Sequence, residues 1–273
     1  MNFGLIIIGD EILSGKREDK HLPKVISLLA ARGLSLSWVR YVGDDPERIT
    51  ADLQHAFQVA QAHGDVVFSC GGIGATPDDH TRQCAARALG VPLALHPQAR
   101  DLIIERMHDI ATERGVPFEP ERDDNQHRLN MGVFPQGAEI IPNPYNKIAG
   151  FSLRYPQGGV YFVPGFPVMA WPMIEWVLDQ HCAHLHRAVA QRELSVIVFG
   201  AMEAALTPLM ESIEAQFSGI KVFSLPSVDH PQWGRHIELG VKGEDGEQMA
   251  VAYQHMLAGL RAHGAQLGPE LVR

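Results

Sequence analysis

Short apolar runs of strand length alternate with longer amphipathic segments through the first two thirds of the chain, a rhythm that few architectures accommodate. Phe3 to Ile8 is the first run, followed by a polar loop and by a helical segment around Leu22 to Leu29 that stops at Gly33. Ser35 to Val42 reads as a second strand. Asp45-Pro46 then opens a helix to about His63, since the carboxylate caps free amides and proline suits a first turn. Asp65 to Cys70 is a third strand by its length and branched residues, broken sharply by Gly71-Gly72-Ile73-Gly74. Helices are predicted from Asp79 to Gly90 and from Gln98 to Glu113, whereas the charged, unpatterned segment 115–130 reads as a mobile excursion outside the core. Strand character returns over Ala138 to Ile141 and Gly159 to Val163, and Pro164-Gly165-Phe166-Pro167 turns into a helix ending near Asp179. Such alternation implies right-handed βαβ units, an α/β fold with a parallel sheet whose ligands sit at the carboxyl ends of the strands.

From about residue 190 the rhythm changes to strand, helix, strand, strand, helix, over Leu194 to Phe199, Glu203 to Phe217, Ile220 to Leu225, Arg235 to Val241 and Gly246 to Leu260. We read residues 1–186 as one domain and 190–265 as a small α+β domain large enough to fold alone, with the boundary near residues 183–192.

Charge narrows the partners. A formal charge of −9 over 273 residues leaves no broad basic face, so neither nucleic acid nor a membrane surface is expected, and an anionic ligand must be held locally. Three cysteines at no metal spacing, with no basic leader before the first apolar run, fit reduced thiols and a cytoplasmic location.

The sharpest local signal is Cys70-Gly71-Gly72-Ile73-Gly74-Ala75-Thr76-Pro77-Asp78-Asp79-His80-Thr81, between a strand and a helix. Glycines let backbone amides converge on an anion, and the helix that follows adds the positive end of its dipole, which together make a phosphate cradle. The spacing matches neither a Walker loop nor the dinucleotide fingerprint. A plainer alternative is a tight turn with Asp78 or Asp79 capping the helix. Two further loops, Gly9-Asp10-Glu11 and Gly43-Asp44-Asp45, leave the first and second strands at the same sheet edge. Asp10, Glu11, Asp44, Asp78 and Asp79, five carboxylates on that edge, would repel an anionic substrate unless a divalent cation, Mg²⁺ or similar, sat among Asp10, Asp44, Asp78 and Asp79. For Asp45 and Glu11 the plain alternatives are a helix cap and a solvated carboxylate.

Taken in order, Gly9-Asp10-Glu11-Ile12-Leu13 with Gly15 and Asp19, Val42-Gly43-Asp44-Asp45, Gly71 to Thr76 with Asp78-Asp79 and Thr81, Asn143-Pro144, Gly150-Phe151 and Pro164 to Pro167 resemble the motif series of CinA-type molybdopterin-binding domains. The match spans about residues 3–180. This resemblance implies a MoaB/Mog-like fold, with a mixed-edge sheet and helices on both faces, and a ligand that carries a phosphate or pyrophosphate. It implies Asp44 and Asp79 as the functional acids, with Gly9, Asp10, Glu11, Gly71, Gly72, Gly74, Thr76, Thr81, Asn143, Pro164 and Gly165 around the ligand. The CinA branch is associated with hydrolysis of ADP-ribose and related dinucleotide pyrophosphates, and the Mog branch with molybdenum cofactor assembly.

The chain departs from the family after Asn143-Pro144, where Tyr145-Asn146-Lys147-Ile148-Ala149-Gly150 replaces a run of glycine, threonine, alanine, proline and glycine. Lys147 is then either a compensating cation at the ligand or an ordinary surface lysine. Residues 190–265 are similar in element order to the small middle domain of CinA proteins, and the amidohydrolase domain that follows it in full-length members is missing, so nicotinamide-nucleotide deamidation is not expected. His181, Cys182, His184 and His186 read as a solvated helix end rather than a metal site. Trp171 and Trp176 read as core or interface packing, and together with the many apolar residues of the closing helix they motivate the expectation of a homodimer. The leading expectation is a metal-dependent nucleotide pyrophosphatase; the alternatives are a non-catalytic molybdopterin-binding or cofactor-assembly module, and a partner-recruiting role for the last domain.

Overall fold

The computed structural model describes residues 1–187, 192–243 and 245–272, and the chain divides into two compact units, Met1–His186 and Arg187–Arg273. The boundary expected near 183–192 falls partly on 188–191, outside the described residues.

In the first unit the chain runs through β1 (Phe3–Ile8), α1 (Asp10–Leu13), α2 (His21–Ala30), β2 (Leu36–Val42), α3 (Pro46–His63), β3 (Val66–Cys70), α4 (Thr81–Leu89), β4 (Leu93–Leu95), α5 (Pro97–Arg114), α6 (Asp123–Arg128), β5 (Val133–Pro135), β6 (Glu139–Ile141), β7 (Gly150–Arg154), β8 (Gly159–Val163) and α7 (Pro167–Gln180). Six strands form one sheet in the order β2-β1-β3-β8-β7-β6, while β4 and β5 make a separate pair. The pairs β1–β2, β1–β3 and β3–β8 are parallel, and β7 and β6 close one edge antiparallel. This is the mixed-edge α/β sheet that the resemblance implies.

The continuous apolar run of β1 is explained by helices on both of its faces. Ile6 and Ile8 pack with Ile49, Leu53 and Phe57 of α3 on one side, and Leu5 and Ile7 with Val25 and Leu29 of α2 and Met173 and Val177 of α7 on the other. Each such side chain contributes about 1.5–3 kcal/mol on burial. Register matters for function, because Ile8 pairs with Val42, Ile7 with Cys70, and Cys70 with Val163. The carboxyl ends of β1, β2, β3 and β8 therefore finish level. The loops that leave them, at Gly9, Gly43, Gly71 and Pro164, stand side by side on one edge.

Three local expectations are corrected. The segment after β1 is a short helix, α1, rather than an open loop. Helix α4 begins at Thr81, not Asp79, with His80 at its amino-terminal boundary and no side-chain cap. Residues 115–130 are not a structureless excursion: they include α6, and Asn125 is buried with its amide donating to the Glu119 carbonyl at 2.7 Å.

The second unit contains β9 (Arg192–Phe199), α8 (Glu203–Gln216), β10 (Lys221–His230), β11 (Gly234–Gly243), α9 (Gly246–Ala262) and β12 (Gln266–Val272). Its own four-stranded sheet has the order β10-β11-β9-β12, with every pairing antiparallel. Val196, Val198, Ile213, Leu239, Met256 and Leu260 form a core independent of the first unit's clusters. The unit runs past the expected limit at residue 265, because β12 adds an edge strand.

Candidate functional site at the carboxyl edge of the first sheet

Asp10 and Asp44 are locked to each other. The Asp10 amide donates to Asp44 Oδ2 at 2.9 Å, and the Asp44 amide donates to Asp10 Oδ1 at 3.2 Å. Gly43 is required beside this lock, since a Cβ there would strike the Asp10 carboxylate. Burial raises the pKa of Asp44, and the neighbouring charges of Asp10, Glu11 and Asp78 push it in the same direction, against the Asp10 amide hydrogen bond. The edge is therefore one electrostatic unit. Among the described residues, however, no three His, Cys, Asp or Glu side chains converge into a metal cage, so the expected four-carboxylate set is not preassembled. Asp45 caps α3, accepting from the Arg48 amide at 2.8 Å, which is its plain alternative.

The glycine loop is shaped by positive backbone angles at Gly71 (φ 109°) and Gly72 (φ 68°), which a side chain rarely adopts. The Gly71 amide donates to the Val163 carbonyl at 3.0 Å, binding the loop to β8. Thr81, expected at the ligand, is wholly buried and donates its hydroxyl to the Gly71 carbonyl at 3.1 Å; it braces the loop from below. Asp79 does not cap α4. Its carboxylate accepts from the Thr76 amide at 2.8 Å and from the Thr76 hydroxyl, closing the loop across its mouth. The spaces beside Gly72 and Gly74 are filled by Thr81 Oγ1 and the Asp79 carboxylate, so both glycines make room first for the chain's own polar groups. Gly9 donates its amide to the Val42 carbonyl at 3.0 Å, and Gly165 lies against Gly71 with its carbonyl 3.0 Å from His21 Nε2. Asp19 caps α2 through the His21 and Leu22 amides and accepts from the Tyr41 hydroxyl at 2.8 Å. Burial and this bond push the Tyr41 pKa up to about 12, keeping it a donor.

Two expected ligand contacts are committed elsewhere. The buried Asn143 amide donates to Asn146 Oδ1 and the Ile148 carbonyl and accepts from the Tyr145 amide, folding residues 143–148 onto themselves. Lys147 adopts φ 64° and sends its ammonium to Glu105 and Asp109 of α5, 2.6 Å from each, so it is a surface lysine held in ion pairs, its plain alternative. The histidines after α7 behave as structural groups: His181 packs against Tyr161 and Trp176, and His186 Nε2 lies 3.0 Å from the Leu178 carbonyl. Trp171 and Trp176 pack against the first unit's own core.

The residue that sequence reasoning missed is Arg82 on α4. It is 4% exposed, and its Nη2 donates to the Gly74 carbonyl at 2.6 Å while Nη1 donates to the Asn130 carbonyl. The available signal was a cation in the first turn of a helix, where the dipole disfavours it. Arg82, Thr76, Asp79, His80, Asn130 and Val133 line part of a cavity of about 340 Å³ beside the glycine loop.

Comparisons with known proteins bear on the family and the fold. Two curated "CinA-like protein" relatives come from Anaeromyxobacter dehalogenans (strain 2CP-C), 29% identical over 95% of this chain and 60% of the relative, and from Citrifermentans bemidjiense, 31% identical over 81% and 50%. The chain thus spans about half to three fifths of the length of these relatives. The crystal structure of the protein CinA with unknown function from Thermoplasma acidophilum matches at a TM-score of 0.53, with 24% identity over 65% of this chain and 96% of that one, which places the fold. No described helix is long and apolar enough to cross a membrane. The family profile described as "Probable molybdopterin binding domain" matches residues 4–184, the whole parallel-sheet unit with its glycine loop and acidic edge, and the chain belongs to that family.

Proposed function

We propose that the first unit binds a nucleotide or pterin through a phosphate at Gly71–Thr76 and hydrolyses a nucleotide pyrophosphate such as ADP-ribose or FAD with the help of a divalent cation. The observation that carries this reading is the Asp10–Asp44 lock beside the glycine loop, where burial and like charge raise the Asp44 pKa. Two carboxylates suit Mg²⁺, which takes one or two from protein and completes its shell with water and substrate phosphate. Asp10 and Asp44 would hold the ion, with Asp78 close enough to be felt; a bound cation supplies polarisation of the anhydride. Asp79 keeps Thr76 and the loop mouth in place. A second reading, a molybdopterin-binding module without catalysis, is favoured by the loop 143–148, whose polar groups are turned inward where a hydrolase would need phosphate contacts.

Incubation with ADP-ribose, FAD and NADH, each with and without Mg²⁺, Mn²⁺ or Co²⁺, separates the two. Metal-dependent release of mononucleotides is the expected result. No release from any of them, together with pterin fluorescence in the purified protein, would replace hydrolysis by binding alone.

A further inference from the structure

Tyr145 and Phe166 are the two most exposed of the Phe, Tyr and Trp side chains among the described residues, at 62% and 53%. Both stand on the edge that carries the glycine loop. Ile141 pairs with Gly150 and Phe151 with Phe162, so the loop between β6 and β7, which holds Tyr145, leaves the sheet where β8 finishes at Val163. Phe166 opens α7 and directly follows Gly165, which lies against the Gly71 backbone. The two positions are tied together. Asn146 Nδ2 donates to Met169 Sδ at 3.3 Å, and the Met169 amide donates to the Phe166 carbonyl at 3.0 Å.

Single exposed apolar side chains are ordinary on a folded surface, but these two rings share one edge and neither belongs to a core cluster of the first unit. Packing does not account for them. Phe166 is held instead by a cation, with the Arg17 guanidinium over its ring 5.8 Å from the centroid, an attraction that keeps the ring at the rim. The polar side chains around the rings are already engaged. Asn143 and Asn146 bond within their own loop, Lys147 pairs with Glu105 and Asp109, and His21 Nε2 meets the Gly165 carbonyl. This rim therefore offers a ligand flat apolar surface and little with which to read the hydrogen-bonding edge of a base.

We propose that Phe166 and Tyr145 form a stacking wall for the heterocycle of the phosphate-bearing ligand, and that this wall selects by ring area instead of by hydrogen-bonding pattern. The proposal rests on the reading of Gly71–Thr76 as a phosphate cradle. Stacking on an aromatic face is open to every base and grows with the apolar area covered. The order of preference is then tricyclic flavin, bicyclic purine or pterin, and monocyclic pyrimidine, which among dinucleotide pyrophosphates singles out the flavin-bearing ones.

The test is calorimetric titration of the whole chain, with Mg²⁺ present, by four phosphate monoesters: FMN, AMP, UMP and ribose 5-phosphate, the last with no heterocycle. None carries an anhydride, so the outcome is independent of whether the chain hydrolyses one. Affinity should fall in that order, with FMN at least about tenfold tighter than ribose 5-phosphate. Phe166→Ala should weaken FMN at least about fivefold and leave ribose 5-phosphate within about twofold; Tyr145→Ala should act in the same direction, and Phe166→Trp should bind FMN at least as tightly as the parent. Equal affinities of the parent for FMN and ribose 5-phosphate, or an FMN affinity unchanged in both alanine variants, overturn the wall and leave the cradle standing. A parent that binds none of the four overturns wall and cradle together. Should the alanine variants not fold, the parent's order decides, and UMP bound as tightly as FMN overturns the proposal.

Discussion

Asp44 sits where burial and three neighbouring acids all disfavour its charge, while the Asp10 amide holds its oxygen in place. Asparagine keeps the acceptor and removes the charge. The folded state raises the pKa, so it binds the proton more tightly than the unfolded chain, and the group's contribution to stability is full below the unfolded value and is lost as pH rises through the folded one. Asp44→Asn should therefore melt at or above the parent's temperature at neutral pH, a difference that disappears in acid. Thermal melts across pH check this, and a variant less stable at neutral pH than in acid, relative to the parent, contradicts it. Asp79 behaves differently, because its carboxylate is already a strut for Thr76. Asparagine there retains one acceptor, so denaturant titration of Asp79→Asn should show a loss of about 1 kcal/mol or less. A fall in activity in that variant mixes loop geometry with chemistry, and Asp44 is the cleaner site for substitution.

The loop between β3 and α4 was legible as a glycine-rich break after an apolar strand, but its internal bracing was not. Thr81 reads as an ordinary helix-start residue, and nothing in the order Gly72…Thr81 announces that its hydroxyl fills the space beside Gly72. The consequence is measurable. Gly72→Ala meets both a left-handed backbone angle and the Thr81 hydroxyl, whereas Gly90→Ala at the end of α4 meets the same kind of angle in open space. The second should cost about 1 kcal/mol from the backbone alone, and the first distinctly more. Equal losses in urea titration would mean that the loop relaxes freely. Strands β1 to β3 and helices α2, α3 and α5 were readable because apolar runs and helical periodicity report burial directly. Strands β5 and β7 were not read from the sequence, and three further elements gave no such signal. Helix α6 is polar throughout, Asp-Asp-Asn-Gln-His-Arg, and is held by hydrogen bonds rather than an apolar stripe. Strand β4 has three residues, all exposed. Strand β12 carries Gly268 and Pro269, which read as breakers yet are tolerated at a sheet edge. Lys147 failed as a ligand cation for a related reason: its partners lie on α5, some forty residues away in sequence.

Each unit has its own sheet and core, so a chain cut within residues 188–191 should yield two fragments that unfold cooperatively. Trp38, Trp171 and Trp176 report on the first and Trp233 on the second, and a fragment whose fluorescence changes without a transition would show that its core is incomplete. The proposed chemistry lies wholly in the first unit, on the edge where β1, β2, β3 and β8 finish level. The most direct measurement is the rate of AMP release from ADP-ribose in the presence of Mg²⁺, for the parent and for Asp44→Asn. Turnover by the parent and a fall of about a hundredfold in the variant, equivalent to about 2.7 kcal/mol of transition-state stabilisation, is the predicted result. Turnover at the parent's rate in Asp44→Asn, or none in the parent with any of Mg²⁺, Mn²⁺ and Co²⁺, would contradict it.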